Sequence, residues 1–514
     1  MAAGVNMRIG ILSTAALLVV ATALVAQEPS LTQNSSYFSN LGSIVVADLA
    51  DDSRPAMIGI DGSSGSSVVV LKNLGNGKYG PPTYYPVTGG LAGIAVGDFN
   101  GDGKLDVAVA IGVYGGTSKV AILRGKGDTT LEKPVYYPVP VAPNSIVVAD
   151  FNNDNRPDIA VIGTSDDFAT NTVTILTNTG SSFTEHSFAA PTYFTASYSY
   201  PDDDYISNLV EGDFNGDGRI DLAYLDTCQQ CDPSSQVFYV LANLTSGWKG
   251  STVSGGGGAL SLTAADIDGD GITDLIIPWH GCYTPCVGVT VLYMDKNFSV
   301  AKSVELNVLN DYYGPIPAQV VVGDFNNDGI TDIAGFSHGG LDQNQNAVPD
   351  SIDVWTGAGN RTFNNPKYYN QSPIVENDGY GGGYTAAGFL TSYPGRNLIV
   401  PESSVGSDSQ VWKNSTTETH DPCPYPTAAS GIHVCKPAED SPRGTVQFLA
   451  SARSSVQPLN RIELWVDGTK EVQIFADRLH FELPLANGKH TASFFEVGAS
   501  GLKTEKRVEF TVGK

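Results

Sequence analysis

The sequence predicts an all-β protein, a seven-bladed β-propeller followed by a small β-sandwich. Seven stretches repeat one pattern, in which an apolar strand, a nine-residue loop and a second apolar strand follow one another. The 57 glycines and 29 prolines are scattered through β-branched and aromatic runs, as expected for many short strands joined by tight turns. No long amphipathic helical pattern is present.

The repeats are counted from the first position of each loop. These positions are Asp48, Asp98, Asp150, Asp213, Asp266, Asp324 and Gly388, with spacings of 50, 52, 63, 53, 58 and 64 residues. Third-strand and fourth-strand segments follow in each period, such as SKVAILRGKGD from Ser118 and PVYYPV from Pro134. A period of this length is typical of a propeller, in which each four-stranded blade buries its faces against its neighbours.

The seventh repeat lacks an obvious fourth strand. Its other strands are predicted near residues 397–400 and 409–412, after which the chain continues into a Thr- and Pro-rich stretch. The segment 30–38, which precedes the first repeat, is predicted to supply the missing strand beside residues 409–412. Both ends of the propeller would then complete one blade and leave no open sheet edge.

The nine-residue loops predict metal sites. In the second loop, DFNGDGKLD at residues 98–106, oxygen-bearing side chains stand at positions 1, 3, 5 and 9, and position 7 offers its backbone carbonyl. Glycine at position 6 permits the turn that brings these oxygens together. Several carboxylates favour calcium, whereas magnesium demands a tighter octahedron and the absence of His and Cys disfavours zinc or copper. An EF-hand differs, because its last acid stands at position 12 and helices flank it.

Five loops carry the complete set, so about five structural Ca²⁺ sites are expected. The predicted ligands, with the position 7 residue given fourth in each set, are Asp98, Asn100, Asp102, Lys104, Asp106; Asp150, Asn152, Asp154, Arg156, Asp158; Asp213, Asn215, Asp217, Arg219, Asp221; Asp266, Asp268, Asp270, Ile272, Asp274; and Asp324, Asn326, Asp328, Ile330, Asp332. Asn155 replaces glycine in the third loop, which is tolerable because Asn enters left-handed geometry more easily than most residues. The first loop retains only Asp48 and Asp52, and the seventh retains no acid, so neither is expected to bind an ion.

With these residues in view, the repeats resemble the FG-GAP/VCBS repeats of integrin-α-type propellers, from about residue 40 to 415. The resemblance implies that the ions are structural and lie between the first and second strands of a blade. Residues 342–350, DQNQNAVPD, have the same spacing and follow the second strand of the sixth repeat. They are interpreted either as an extra calcium site or as an ordinary polar loop.

The N-terminus predicts export. Met7 and Arg8 precede an apolar run from Ile9 to Ala26, which has the layout of a signal peptide at residues 1–26. The alternative is a short uncleaved anchor, since the run is close to the shortest length that spans a bilayer. A secreted, periplasmic or cell-surface location is therefore expected.

The six cysteines fall into close pairs. Their order in the chain is Cys228, Cys231, Cys282, Cys286, Cys423 and Cys435. Export favours their oxidation, with a Cys423–Cys435 bridge and either local or cross-loop pairing of the other four. A zinc site formed by those four is the alternative.

The C-terminal part predicts a separate unit. Residues 27–415 are assigned to the propeller, 416–434 to a linker and 435–514 to six alternating strands that resemble a small bacterial Ig-like β-sandwich. Trp465 is a plausible core residue of that sandwich.

The net charge limits the classes of binding partner that are expected. A net charge of −25 disfavours nucleic acid and anionic membranes as partners, because both require a basic surface. The expected role is binding or adhesion to an extracellular protein or glycan, with no membrane insertion of the mature chain and the oligomeric state left open. Loops opposite the acidic loops could supply the contact surface, or their aromatic residues could simply pack the loops. The candidate contact residues are Tyr193, Tyr198, Tyr200, Asp202, Asp203, Asp204, Tyr205, Trp279, His280, Tyr312, Tyr313, Tyr380 and Tyr384.

Catalysis is the less favoured class. Residues 335–339, GFSHG, match GxSxG but are predicted to lie between propeller strands, where a nucleophile elbow does not form. A polysaccharide lyase or hydrolase on a calcium propeller remains the alternative to a binding module.

Overall fold

The described part of the chain consists of strands and their connections. The computed structural model describes residues 31–39, 41–50, 54–61, 65–75, 78–113, 116–164, 170–180, 192–197, 204–228, 237–254, 259, 261–280, 287–306, 317–326, 330–337, 340–341, 347–348, 351–370, 386–388, 397–400, 408–414, 423, 431–437, 440–441, 444–453, 459–474, 478–498 and 503–513. No helix occurs among these residues, which agrees with the predicted all-β class. Within them, nothing has the length and apolarity of a membrane-spanning helix.

Seven four-stranded antiparallel sheets occupy the described residues up to 414. Their strands are, in chain order within each sheet, β2 Leu41–Ala47, β3 Ala56–Asp61, β4 Ser67–Gly75 and β5 Lys78–Pro86; β6 Gly90–Gly97, β7 Asp106–Gly112, β8 Lys119–Leu123 and β9 Val135–Pro138; β10 Ala142–Ala149, β11 Asp158–Thr164, β12 Thr170–Leu176 and β13 Thr192–Ser197; β14 Asp204–Gly212, β15 Asp221–Cys228, β16 Val237–Leu244 and β17 Gly247–Ser254; β18 Thr263–Ala265, β19 Asp274–His280, β20 Val287–Met294 and β21 Val300–Leu306; β22 Pro317–Gly323, β23 Asp332–Ser337, β26 Ser351–Trp355 and β29 Lys367–Asn370; and β1 Leu31–Ser39, β30 Ala386–Gly388, β31 Asn397–Val400 and β32 Asp408–Asn414. We refer to them as the first to seventh sheets.

Two small hairpins accompany the sixth sheet. They are β24 Gly340–Leu341 with β25 Ala347–Val348, and β27 Gly357–Gly359 with β28 Thr362–Phe363. Both hairpins lie in the connections between strands of that sheet.

Most core clusters of the repeats lie between two successive sheets. In β7, Val107, Val109 and Ile111 pack toward the first sheet, whereas Ala108 and Ala110 pack toward the third. All five are 0% exposed, because a sheet covered on both faces buries every residue of its central strands. Full burial of one such valine or isoleucine stabilises the fold by about 1.5–3 kcal/mol.

The fourth strands are the solvent-facing edges of the sheets. β5 and β9 end their sheets, and their residues alternate between exposed and partly buried positions. The prolines of β5 are tolerated there, since an outer strand has few ladder donors to lose. This confirms the edge position predicted for these Pro- and Tyr-rich segments.

The first strands of the sheets approach one another in sequence order. Cα atoms of β2 and β6 lie within 8 Å of one another. The same is true of β6 and β10, β10 and β14, β14 and β18, β18 and β22, and β22 and β30. β30 in turn lies within 8 Å of β2.

The seventh sheet joins the two ends of the repeat region. β1 pairs antiparallel with β32, with Leu31 opposite Asn414 and Ser39 opposite Asp408. The predicted use of the N-terminal segment as the fourth strand of the seventh repeat is therefore confirmed. Residues 1–26, the predicted signal peptide, lie outside the described residues.

The C-terminal unit contains two sheets. A three-stranded sheet holds β33 Gly431–Lys436, β35 Gly444–Arg453 and β38 Arg478–Leu485, and a five-stranded sheet holds β34 Asp440–Ser441, β36 Leu459–Val466, β37 Thr469–Ile474, β39 Gly488–Gly498 and β40 Lys503–Val512. Phe448, Leu464, Phe494 and Phe510 belong to one core that both sheets share. The six predicted strands of this unit are all present.

The prediction that Trp465 belongs to the core is wrong. Leu464 and Val466 point into the shared core, and the alternation of a strand places Trp465 on the opposite face. There its indole N–H donates to Glu463 Oε2 at 3.2 Å, and its ring meets Phe495 edge-on.

The Cys423–Cys435 disulfide is present and ties residue 423 to β33, as predicted. Cys228 ends β15, and Cys231, Cys282 and Cys286 lie outside the described residues. The choice between disulfides and zinc at those four positions therefore remains a prediction.

Candidate metal centres in the acidic loops

The nine-residue loops connect the first and second strands of their sheets. The second to sixth loops run from β6 to β7, β10 to β11, β14 to β15, β18 to β19 and β22 to β23. Since the sheets share one strand order, these loops occupy equivalent places in five sheets.

The aspartate at position 1 organises the turn. In the second loop, Asp98 Oδ1 accepts the amide of Asp102 at 3.1 Å, and Oδ2 accepts that of Gly103 at 2.8 Å. Asp150 and Asp213 accept the same two amides in their own loops. The acid thus holds the loop curled around its own carboxylate.

The curl requires two left-handed residues. Gly101 and Gly103, at positions 4 and 6, have φ of 72° and 80°. In the third loop Asn153 and Asn155 fill these places with φ of 59° and 63°, which confirms that Asn155 substitutes for glycine. The requirement at position 4 was not predicted, although every complete loop has Gly or Asn there.

The aspartate at position 9 joins the loop to the rest of its sheet. Asp106 Oδ2 accepts the amide of Phe99 at 3.1 Å, and Oδ1 accepts that of Gly125 at 2.9 Å. The same pair of bonds forms at the ninth positions of the other complete loops, which are Asp158, Asp221, Asp274 and Asp332. Each carboxylate oxygen retains a second lone pair, so these bonds are compatible with metal coordination.

These ninth carboxyls are buried close to other acids. Burial, together with the charges of Asp98 and Asp102, raises the pKa of Asp106 to about 7. Burial and neighbouring loop acids raise the pKa of Asp158 and Asp221 to about 7 and that of Asp274 to about 9. A cation among them would favour the ionised forms, because opposite charges attract.

The size of the cluster fits calcium. In the fifth loop, oxygens of Asp266, Asp268 and Asp274 all lie within 4.8 Å of one another. Calcium binds oxygens at about 2.3–2.6 Å, so two ligands on opposite sides of one ion lie about 5 Å apart. These residues would hold the ion, and the ion would supply the positive charge that offsets their repulsion.

The other predicted sets are placed as follows. The second, third and fourth loops are described in full, whereas Asp328 of the sixth loop lies outside the described residues. Asp324, Asn326 and Asp332 of that loop are buried. Asp52 of the incomplete first loop also lies outside the described residues.

A recurrent asparagine was missed by the sequence reasoning. Asn178, just after β12, donates its side-chain amide to the carbonyls of Phe99 at 2.9 Å and Pro157 at 3.2 Å. It therefore links the third loop to the second. Asn243, near the end of β16, makes the corresponding links to Phe151 and Ile220. The only sequence signal is an Asn at the end of these third-strand segments.

Asn178→Ala should lower the free energy of unfolding by about 2–3 kcal/mol, because two hydrogen bonds are lost and two buried carbonyls lose their donor. Denaturant unfolding would measure this effect. Thr179→Ser, at the exposed neighbouring position, retains the hydroxyl; it is the control and should change stability by less than about 0.5 kcal/mol. Equal effects of the two substitutions would contradict the linking role.

The aromatic candidates lie mostly outside the described residues. Trp279 is described: it lies within β19, and its indole N–H donates to Thr290 Oγ1 at 2.9 Å and Glu305 Oε2 at 3.3 Å. This geometry favours packing within the fifth sheet. Four further candidates lie in described strands, but their own side chains are not described: Tyr193, Asp204, Tyr205 and His280. The remaining candidates, Tyr198, Tyr200, Asp202, Asp203, Tyr312, Tyr313, Tyr380 and Tyr384, lie outside the described residues.

Two further sequence motifs, which are not among the nine-residue loops, lie only partly within the described residues. Residues 342–346 and 349–350 of the possible extra calcium loop lie outside the described residues. The first three residues of GFSHG, from Gly335 to Ser337, lie in β23, which pairs with β26. The serine is thus on a strand and not at a strand-to-helix turn.

Comparison with known proteins identifies the repeats. The family model described as FG-GAP-like repeat matches residues 48–109, 98–161 and 213–277. These segments contain the first to fifth acidic loops. These residues are therefore similar to FG-GAP-like repeats, as the resemblance implied.

The solved structures that match this chain have low sequence identity and modest TM-scores. BBS1N in complex with ARL6DN has a TM-score of 0.47 and 9% identity, covering 77% of this chain and 98% of that chain. The BP39L lectin from Burkholderia pseudomallei has a TM-score of 0.47 and 14% identity, covering 74% and 98%. The Dos1 propeller has a TM-score of 0.39 and 12% identity, covering 74% and 94%. No curated protein sequence matches this chain. Identities of 9% to 14% are too low to carry a ligand or partner over to it.

Proposed function

We propose that this protein is an exported calcium-binding module that attaches to an extracellular protein or glycan. Its repeat region is a closed seven-bladed FG-GAP/VCBS-type propeller, and its C-terminal unit is an Ig-like sandwich. Calcium is structural and lies in the five complete loops.

The observation that supports this proposal is one loop geometry found repeatedly in equivalent places. Asp98, Asp150 and Asp213 each hold the amides of positions 5 and 6, and the buried ninth aspartates stand beside them. An acidic turn on a surface needs no such converging, buried carboxylates. Four or five copies of this acidic loop are therefore better explained by cation binding than by a need for a soluble surface.

The ring is supported by the order of the sheets. First strands approach one another successively from β2 to β30, and β30 approaches β2 again. The pairing of β1 with β32 completes the seventh sheet from both ends of the repeat region. A closed ring of this kind leaves only short, protected edges, which suits a rigid binding scaffold.

The binding surface is assigned to the face opposite the acidic loops. Connections there, such as residues 198–203 and 307–316, carry Tyr and Asp side chains in the sequence. Tyr offers a flat apolar ring and a hydroxyl, which can stack on a sugar or anchor a protein contact. Loops on a rigid scaffold are where function is usually found.

The proposal is tested with a glycan array on a chain that begins at residue 27, in calcium and in chelator. Calcium-dependent binding to a defined glycan class would support the glycan form of the module. Unsaturated or hydrolysed products from polysaccharides would replace it with the enzyme alternative. Failure of the purified protein to retain calcium after dialysis would overturn the calcium-binding part.

A further inference from the structure

The fifth loop differs from the others because basic side chains from two other parts of the chain reach its acids. Lys470 Nζ in β37 of the C-terminal unit lies 2.9 Å from Asp266 Oδ2. The lysine side chain is 10% exposed and the aspartate side chain 6% exposed. A nearly buried ion pair therefore joins residues that are 204 positions apart.

The second cation is Arg361, in the turn of the β27–β28 hairpin. The guanidinium Nε contacts the Asp268 carboxylate, and Nη2 lies 3.1 Å from Asp270 Oδ2. The guanidinium also lies 5.0 Å above the ring of Tyr293, whose side chain is buried. The planar guanidinium thus bridges two predicted calcium ligands and is held in place by an aromatic face.

Together, Lys470 and Arg361 contact three of the four side chains that would bind an ion in this loop. In the second and fourth loops no Lys or Arg side chain pairs with Asp98, Asp102, Asp213 or Asp217 within the described part of the chain. In the third loop the cation paired with Asp154 is Arg156 of the same loop. Among the four loops described in full, only the fifth forms an ion pair with a described residue of the C-terminal unit.

The lysine belongs to an organised charged group on the outer face of the five-stranded sheet. Lys470 Nζ lies 3.8 Å from Glu463 Oε1, and Lys503 Nζ lies 3.4 Å from Glu463 Oε2. Glu463 is 1% exposed, and it also accepts the Trp465 indole N–H. Burial of this carboxylate fixes the position from which Lys470 reaches Asp266.

We propose that the fifth loop is a docking point between the repeat region and the C-terminal unit, and that calcium and Lys470 compete for Asp266. This inference rests on the proposed calcium function. A calcium ion bound through Asp266 would place two positive charges beside the lysine ammonium, and like charges repel. Binding of calcium at this loop should therefore weaken the docking, and docking should weaken binding of calcium by the same factor.

The test compares calcium binding of the full mature chain with that of Lys470→Met, which retains an apolar stem but removes the charge. One site should gain at least about tenfold in calcium affinity, corresponding to about 1.4 kcal/mol, by calorimetric titration. Lys503→Met is the matched control: it removes a charge beside Glu463 that contacts no loop acid in the described structure, and it should leave the isotherm unchanged. Arg361→Met is a second variant, and it should raise the affinity of the same site without altering the C-terminal unit.

Limited proteolysis of the segment between the two units measures docking independently of calcium binding. Calcium should accelerate cleavage of the wild-type chain in residues 415–430, whereas Lys470→Met should be cleaved at the faster rate even in chelator. Calcium binding that Lys470→Met leaves unchanged would overturn the competition, while the proposed calcium function would stand. Absence of calcium binding in every variant would instead remove the proposed calcium function itself, and the competition with it.

Discussion

Chelation of calcium should lower the melting temperature of the chain that begins at residue 27 by more than about 10 °C. A ligand present at about 100 times its dissociation constant stabilises the folded state by about 2.7 kcal/mol per site. Several such sites in a repeat region that unfolds cooperatively sum to about 10 kcal/mol, which in a region of this size corresponds to at least ten degrees. Without the ion, buried carboxylates such as Asp106 and Asp158 face other acids. Differential scanning calorimetry in calcium and in chelator measures the shift.

Asp102→Ala and Asp52→Ala form a matched pair for this prediction, since both stand at position 5 of their loops. Asp102 belongs to a complete loop, whereas the first loop has lost two of its ligand positions. In calcium, Asp102→Ala should reduce the melting temperature by several degrees and Asp52→Ala by much less. In chelator the Asp102 variant should be no less stable than wild type, because a repelling charge has been removed. Equal behaviour of the two variants in calcium would show that the loops are only acidic turns.

Most of the strand order and the loop geometry could be predicted from the sequence. Alternation and period locate the strands, and the side chains at loop positions 1, 5 and 9 follow from local spacing. Local spacing suffices because each loop is held mainly by its own residues, as when Asp98 accepts amides of the same turn. The pairing of β1 with β32 could be predicted because one repeat lacked a strand and one segment lacked a partner.

Contacts between repeats and between domains could not be predicted in this way. Asn178 reaches Phe99, which lies 79 residues earlier, and Lys470 reaches Asp266 across 204 residues. Neither contact produces a periodic pattern in the sequence, since each depends on how two separately formed units pack against one another. The resemblance to an Ig-like sandwich predicts Trp465 in the core, whereas alternation with Leu464 and Val466 places it on the outer face.

Deletion of residues 31–39 should destabilise the repeat region by several kcal/mol, because it removes β1 and leaves β32 as an open edge. The ladder between these strands runs from Leu31 opposite Asn414 to Ser39 opposite Asp408. Each backbone hydrogen bond lost contributes about 0.5–1.5 kcal/mol net.

The deleted chain should also self-associate, since the exposed groups of an edge strand pair readily with another chain. Analytical ultracentrifugation and thermal melts together measure both effects. A chain that lacks only residues 1–30 is the control, and it should remain as stable as the chain that begins at residue 27. A synthetic peptide of residues 31–39 should restore stability to the deleted protein, because it can occupy the vacant edge of β32. If the deletion leaves the melting temperature and the association state unchanged, the N-terminal strand does not close the seventh sheet.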